Sequence, residues 1–152
     1  MMTEIWPQIV VEEGSVKQDR GGAITGIVFW RVGSRSFPDG AWNDSIIVVL
    51  SWWVQAVRRL CGGSSTSEML KFMDGPFEVR LQREDDTVSF IFVNRRRGDH
   101  VEGACRGSVA ELCGTLLKAS AAVLRACDAA NIRSSEIDEL TAERDRLLCL
   151  GI

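Results

Sequence analysis

The most strongly patterned stretch of the chain runs from residue 42 to residue 60, where apolar residues dominate and two tryptophans are adjacent. On a helix, at about 100° per residue, its few polar residues share one narrow stripe: Asp44, Ser51, Gln55 and Arg58. The opposite side carries only apolar residues: Ile46, Val49, Trp53, Ala56, Val57 and Leu60. A helix this apolar must be covered on most sides, so we expect it to mark the centre of the core.

The ends of this helix are predicted from local signals. Asn43 or Asp44 is the expected N-cap, and Gly62 with Gly63 is expected to end the helix. The opening residues 46–49 are all β-branched, however, so the first turn could instead belong to a strand.

Two strands are expected before the helix. Residues 8–12 are rich in β-branched side chains and stop at Gly14, and residues 24–32 are dense in β-branched and aromatic residues. The polar segment 17–22 between them is predicted to be a turn. Residues 33–40 contain glycine, serine, proline and aspartate around Phe37, which indicates a loop.

Three further strands follow a polar linker at residues 64–67 and a possible short strand at 68–72. Residues 77–82 alternate strictly between apolar and polar side chains, the pattern of a half-buried strand. Residues 87–94 and 100–106 alternate in a similar way, and charged turns join the three segments. The sequence therefore predicts an antiparallel meander.

Two helices are predicted at the C-terminal end. Ser108 and Glu111 have the spacing of a capping box, and apolar residues then recur at helical spacing to about Ala130. Ser134 or Ser135 should cap a final helix with an apolar stripe of Ile137, Leu140, Leu147 and Leu148. The chain is therefore expected to form a single α+β domain over residues 1–152, an antiparallel sheet with two to three α-helices packed on one face.

Composition narrows the function classes. The 152 residues are 45% hydrophobic and 26% charged with a net charge of −3, so no global field favours nucleic acid or an anionic membrane. The N-terminal residues include Glu4 and Pro7 and lack an apolar run, which argues against a signal peptide. Ser51 and Gln55 interrupt the longest apolar run, at residues 46–57. We therefore expect a soluble, cytoplasmic protein without membrane spans.

The chain offers few groups for metal binding or catalysis. Its five cysteines form no Cys-x-x-Cys pair, and His100 is the single histidine, so neither a metal site nor a cofactor is predicted. The cysteines are expected to be reduced and mostly buried. His100 is interpreted as an exposed turn residue beside Asp99. A nucleophile pair of Cys105 and His100 is disfavoured, because their odd separation should place the two side chains on opposite faces of a strand. A small hydrolase or acyltransferase using Cys105 or Cys113 is a minor alternative to a non-enzyme.

Arg95, Arg96 and Arg97 form the only basic cluster, and they follow two aromatic residues, as in some RNA-binding sheets. Residues 71–106 nevertheless contain seven basic and seven acidic side chains, so the region is neutral as a whole. The cluster is predicted to be a solvated strand end rather than a nucleic-acid site.

Protein binding is the function that the tryptophans and one loop favour. Trp52 and Trp53 point about 100° apart on a helix. The favoured interpretation is that both pack inside, and the alternative is that one anchors an interface. The loop 37–44 combines aromatic side chains with acids, a composition suited to a basic protein partner. Its candidate partner-binding residues are Asp39, Trp42 and Asp44, and the acidic C-terminal helix is the alternative surface.

Three segments, at residues 37–44, 50–57 and 72–81, resemble small bacterial proteins of unassigned function, some of which lie beside polymorphic or contact-dependent growth-inhibition toxins. Those proteins are taken to be immunity proteins. The resemblance covers about half of the chain and includes no catalytic motif, and it carries over no site residue. It implies a non-catalytic protein that binds a cognate toxin domain, for example a nuclease, and occludes its active site. The alternative is a homo-oligomeric structural or regulatory module, such as a homodimer joined through the meander edge or the tryptophan helix.

Overall fold

A computed structural model describes residues 6–151 of the chain. The N-terminal segment whose composition argues against a signal peptide begins at Met1, so its first five residues lie outside the described residues. In chain order the elements are β1 (Gln8–Gln18), β2 (Ile24–Val32), β3 (Arg35–Phe37), β4 (Asn43–Asp44), α1 (Ile46–Cys61), β5 (Ser67–Lys71), β6 (Phe77–Glu84), β7 (Thr87–Asn94), β8 (His100–Ser108), α2 (Val109–Ala129) and α3 (Ser135–Leu148).

The first sheet is antiparallel and centres on β2. β1 pairs along one edge of β2, while β3 and β4 pair with the other edge. The strand predicted at residues 24–32 is confirmed. β1 is longer than predicted, because it continues past Gly14 through an irregularity between Glu12 and Lys17. There the Ser15 hydroxyl accepts a hydrogen bond of 2.8 Å from the backbone of Ile27, which keeps the two strands joined.

The second sheet is antiparallel in the order β5-β6-β7-β8, which confirms the predicted meander of three strands and adds β5 to its edge. Val79, Phe90 and Cys105 lie on the inner face. The alternate positions, such as Arg80 and Ile91, lie on the outer face. The charged hairpin between β6 and β7 turns at Asp85, whose φ is 55°.

The tryptophan helix forms as α1, but its start and its exposed side differ from the prediction. The N-cap is Ser45, without a side-chain bond, because Asn43 and Asp44 instead form β4 against β2. The polar stripe was also misplaced: Ser51 is only 5% exposed, whereas Trp52 is 43% exposed. Serine is small enough to be buried beside neighbouring elements, whereas the large indole of Trp52 points outward.

The two C-terminal helices begin where the capping signals predict. The Ser108 hydroxyl accepts from the backbone of Glu111, which is the N-cap bond of a capping box, and it also donates to the Glu111 carboxylate. Ser134 caps α3 in the same way by accepting from the backbone of Ile137. The apolar stripe of α3 is narrower than predicted, because Leu148 is exposed. The buried side of α3 also includes a charged residue, Glu143, which forms an ion pair with Arg58 of α1.

One hydrophobic core joins the inner faces of both sheets to α1, α2 and α3. At its centre Trp30 of β2 packs against Trp53 of α1 at 5.8 Å between ring centroids, and against Phe90 of β7 at 5.9 Å. Two antiparallel sheets and three helices therefore confirm the α+β class for the described residues. None of the helices described between residues 6 and 151 combines the length and apolarity needed to cross a bilayer.

Candidate partner-binding surface

Asp44, one of the predicted partner-binding residues, is an internal hydrogen-bond acceptor. Its side chain is 1% exposed and accepts from the indole Nε1 of Trp42 at 3.0 Å and from the backbone nitrogen of Ser45 at 2.7 Å. It also accepts at 3.2 Å from the backbone nitrogens of Met73 and Asp74. Because these donors occupy the buried carboxylate, Asp44 does not face a partner. It joins the loop 37–44 to the turn after β5.

Trp42 is held in place by the same two segments. Its ring packs edge-on against Phe77 at 5.2 Å and against Phe72 at 6.1 Å between centroids. Gly75 lies directly against the indole: its φ is +94°, and a Cβ there would be 3.0 Å from the ring. Trp42 is therefore half-buried and fixed, with only part of its ring available to a partner.

Asp39 is the predicted site residue whose side chain faces solvent. One carboxylate oxygen accepts a hydrogen bond of 2.8 Å from the backbone of Ala41, which stabilises the local turn. Since carboxylates can accept several hydrogen bonds, Asp39 retains capacity for a partner.

Two exposed apolar side chains, one on α1 and one in the turn after β5, were not among the predicted site residues. Trp52 and Met73 are each 43% exposed. Met73 is held by its backbone bond to Asp44, immediately before α1, and the indole of Trp53 donates to the carbonyl oxygen of Lys71 at 2.8 Å. Residues 71–74 therefore run along the first half of α1.

The exposed stripe of α1 contacts β5 near the end of the helix. Arg59 lies two turns after Trp52 on the same stripe and makes an ion pair of 2.8 Å with Glu68 of β5. Trp52 thus lies on the side of α1 along which β5 and residues 71–74 run. We call Asp39, Trp52, Met73 and Asp74 the anchor surface: two exposed apolar side chains, one on α1 and one in the turn after β5, and two exposed carboxylates, one in the loop 37–44 and one in that turn. The favoured interpretation that both adjacent tryptophans pack inside is wrong for Trp52 and right for Trp53, because the helical pattern alone does not show which one is outside.

His100 and Cys105, the candidates for acid–base or thiol chemistry, are not a catalytic pair. A bulge between Phe92 and Val93 adds a residue to β8, so His100 and Cys105 share a face, contrary to the prediction. Their partners on β7 are Asn94 and Phe90, four positions apart, which corresponds to about 13 Å along the strand. Burial also raises the pKa of the Cys105 thiol to about 11, so the thiol is protonated at neutral pH.

The arginine cluster after β7 covers a buried carboxylate. Glu78, 1% exposed, forms ion pairs with Arg95 at 2.7 Å and with Arg80 at 2.8 Å. The Arg96 guanidinium lies over the Phe77 ring at 5.9 Å from its centroid. Two of the three arginines thus contact their own protein, although both remain exposed to solvent as the sequence predicts.

Within residues 6–151, no group of three or more His, Cys, Asp or Glu side chains is arranged to hold a metal ion. In comparisons with known proteins, no family model matches the chain, and no curated protein or solved structure matches it either.

Proposed function

We propose that the chain binds a toxin domain as an immunity-type protein and occludes its active site or substrate path with the anchor surface. The exposure of Trp52, and of Met73 with its neighbour Asp74, carries the proposal. Tryptophan is enriched among the residues that contribute most to protein–protein affinity, and methionine adapts to irregular partner surfaces. The sequence resemblance to immunity proteins is the reason for naming a toxin as the partner.

The two exposed carboxylates of the anchor surface favour a partner with a basic groove. Asp39 and Asp74 are both exposed, and neither forms an ion pair with another described residue. Toxins that cleave nucleic acid need cationic grooves to hold the phosphate backbone, because phosphate contacts supply most of the affinity. Carboxylates around an apolar anchor would compete for such a groove and would speed association.

Pre-organisation also supports the proposal. Asp44 fixes the backbone of Met73 and Asp74, and Trp42 is clamped by its ring contacts, so the loop and the turn are ordered before a partner arrives. Binding then costs little additional conformational entropy, which is the condition for tight inhibition by a small protein.

The test begins with recovery of the partner by the full tagged chain from its source cell. The partner should arrest growth when it is expressed alone, and co-expression of the chain should restore growth. Affinity is then measured by calorimetry for Trp52→Ala and Met73→Ala, each of which should weaken binding at least about tenfold. Asp74→Asn should mainly slow association and reduce its salt dependence.

Met69→Ala is the matched control, because this methionine is also exposed, at 51%, but lies on the outer face of the second sheet. It should leave the affinity unchanged. Two results would contradict the proposal: a recovered partner that does not affect growth, or full affinity in the double variant of Trp52 and Met73.

A second function, self-association as a homo-oligomeric module, is favoured by a different surface. Met69, Ile91 and Val101 are 51%, 37% and 55% exposed, and the strand register places them on the outer face of the second sheet. Light scattering after size-exclusion chromatography distinguishes the two functions. A dimer at micromolar concentration that Ile91→Arg dissociates would favour the module, whereas a monomer would argue against it.

A further inference from the structure

The thiols of Cys61 and Cys113 are in direct contact. Cys61 is the last residue of α1 and is half-buried, whereas Cys113 lies in the second turn of α2 and is 2% exposed. Their Sγ atoms are 2.8 Å apart, although the two residues are separated by 52 positions in the chain. Tertiary packing alone brings these two thiols together.

The surroundings make the two thiols unequal. Arg83 of β6 donates from Nη1 to the carbonyl oxygens of Leu60 and Cys61 at 2.9 and 3.0 Å, which fixes a cation at the end of α1. The hydrogen bond between the two thiols lowers the pKa of Cys61 despite its burial, and the charge of Arg83 lowers it further. The same bond, together with burial, raises the pKa of Cys113. Cys61 is therefore the thiol that ionises first.

The other three cysteines provide a contrast. Burial raises the pKa of Cys105 and of Cys127, and Cys149 is exposed near the end of α3. Among the described residues, Cys61 and Cys113 are the cysteines whose sulfur atoms touch.

We propose that Cys61 and Cys113 form a redox-active pair that a hydroperoxide converts into a disulfide joining α1 to α2. The Cys61 thiolate attacks one peroxide oxygen, the O–O bond breaks, and the other oxygen leaves as water after protonation. The sulfur of Cys113 then attacks the resulting sulfenic acid, and its proton leaves with the hydroxyl group as a second water. Two thiols thus lose two electrons in total, and one molecule of hydrogen peroxide becomes two of water.

Little movement is needed for this closure. The sulfur atoms must approach from 2.8 Å to about 2 Å, the length of a disulfide bond. Cys61 is accessible enough for a small peroxide to reach, whereas the buried Cys113 is placed to resolve the sulfenic acid before further oxidation. The disulfide would fasten α2 to the end of α1 that also binds α3 through Arg58 and Glu143.

The test uses the full reduced chain treated with one equivalent of hydrogen peroxide. Peptide mapping should find a single new cross-link, between Cys61 and Cys113, which dithiothreitol removes. The melting temperature of the oxidised chain should rise by roughly 10 °C, because the cross-link closes a long loop. Cys61→Ala and Cys113→Ala should each abolish the cross-link and the rise in melting temperature.

Cys127→Ser and Cys149→Ser are the matched controls and should retain both effects. Mapping of the unsubstituted chain does not depend on whether any variant folds. A cross-link at other cysteines, or accumulation of sulfinic acid on Cys61 without a cross-link, would overturn the proposal.

Discussion

The indole Nε1 of Trp42 donates a hydrogen bond of 3.0 Å to Oδ2 of Asp44, two residues further along the chain. The same carboxylate accepts from the backbone of Met73 and Asp74, about thirty residues away in sequence. This one buried side chain therefore joins a loop of the first sheet to a turn of the second, and it positions the turn that carries half of the anchor surface.

Asp44→Ala should destabilise the protein by at least about 3 kcal/mol. The change leaves the indole of Trp42 and the backbone of Met73 and Asp74 without their acceptor, and each buried donor without a partner costs roughly 1–3 kcal/mol. Urea unfolding monitored by tryptophan fluorescence measures the loss. Asp39→Ala is the control and should remain within about 1 kcal/mol of the unsubstituted chain, because Asp39 is exposed and makes one local bond. Equal losses for the two variants would show that the Asp44 carboxylate does not join these segments.

The adjacent tryptophans of α1 should respond very differently to truncation. Trp53→Ala should cost about 3–5 kcal/mol, because Trp53 is fully buried and its indole donates to the carbonyl oxygen of Lys71. Trp52→Ala should cost less than about 1 kcal/mol, because 43% of its side chain is exposed. Thermal unfolding of both variants tests the assignment of inside and outside. A larger loss for Trp52 would contradict it.

Much of this fold could be predicted because local patterns reflect burial. The alternation at residues 77–82 and the capping signals at Ser108 and Ser134 depend on near neighbours in sequence, and all three are confirmed. The prediction of Asp44 as an N-cap is wrong, because it lies in β4, and the carboxylate predicted to bind a partner is buried. A local rule recognises aspartate before a helix, but it cannot show donors that arrive from residues 73 and 74.

The candidate surface and the thiol pair were harder to predict. A helical projection ranks residues by polarity, so it placed Ser51 outside, although tertiary packing buries this small side chain and leaves Trp52 outside. Cys61 and Cys113 have no diagnostic spacing, and their contact follows only from how α1 packs against α2. The bulge in β8 likewise changed which face His100 occupies, since one inserted residue reverses the alternation.

The ion pair between Arg59 and Glu68 should make part of the stability depend on pH. Burial raises the pKa of Glu68, but hydrogen bonds from Arg59 and Ser65 outweigh it, so the pKa lies below its ordinary value of 4.5. The ionised carboxylate therefore stabilises the folded state above pH 4.5, and this contribution disappears as the pH falls through the lower folded-state pKa. Glu68→Gln should lower the free energy of unfolding at pH 7, and the difference from the unsubstituted chain should shrink towards pH 3.

Urea unfolding at the two pH values measures this change. Glu84→Gln, at the exposed end of β6, is the control and should leave the free energy of unfolding within about 0.5 kcal/mol at both. A difference for Glu68→Gln that stays constant between pH 7 and pH 3 would mean that the ionised carboxylate is not the source of the stabilisation.

The rate at which the Cys105 thiol is alkylated distinguishes a binding protein from an enzyme that uses this thiol. Its pKa is raised to about 11 by burial, so very little thiolate is present at pH 7. Iodoacetamide should therefore modify the exposed Cys149 of the folded chain faster than Cys105, and the rate at Cys105 should rise about tenfold per pH unit in the neutral range. Mass spectrometry of timed digests follows each site, and the same chain in urea, where burial is lost, provides the control. Rapid alkylation of Cys105 at pH 7 would instead require a neighbouring base or cation that activates the thiol, and it would support a thiol enzyme.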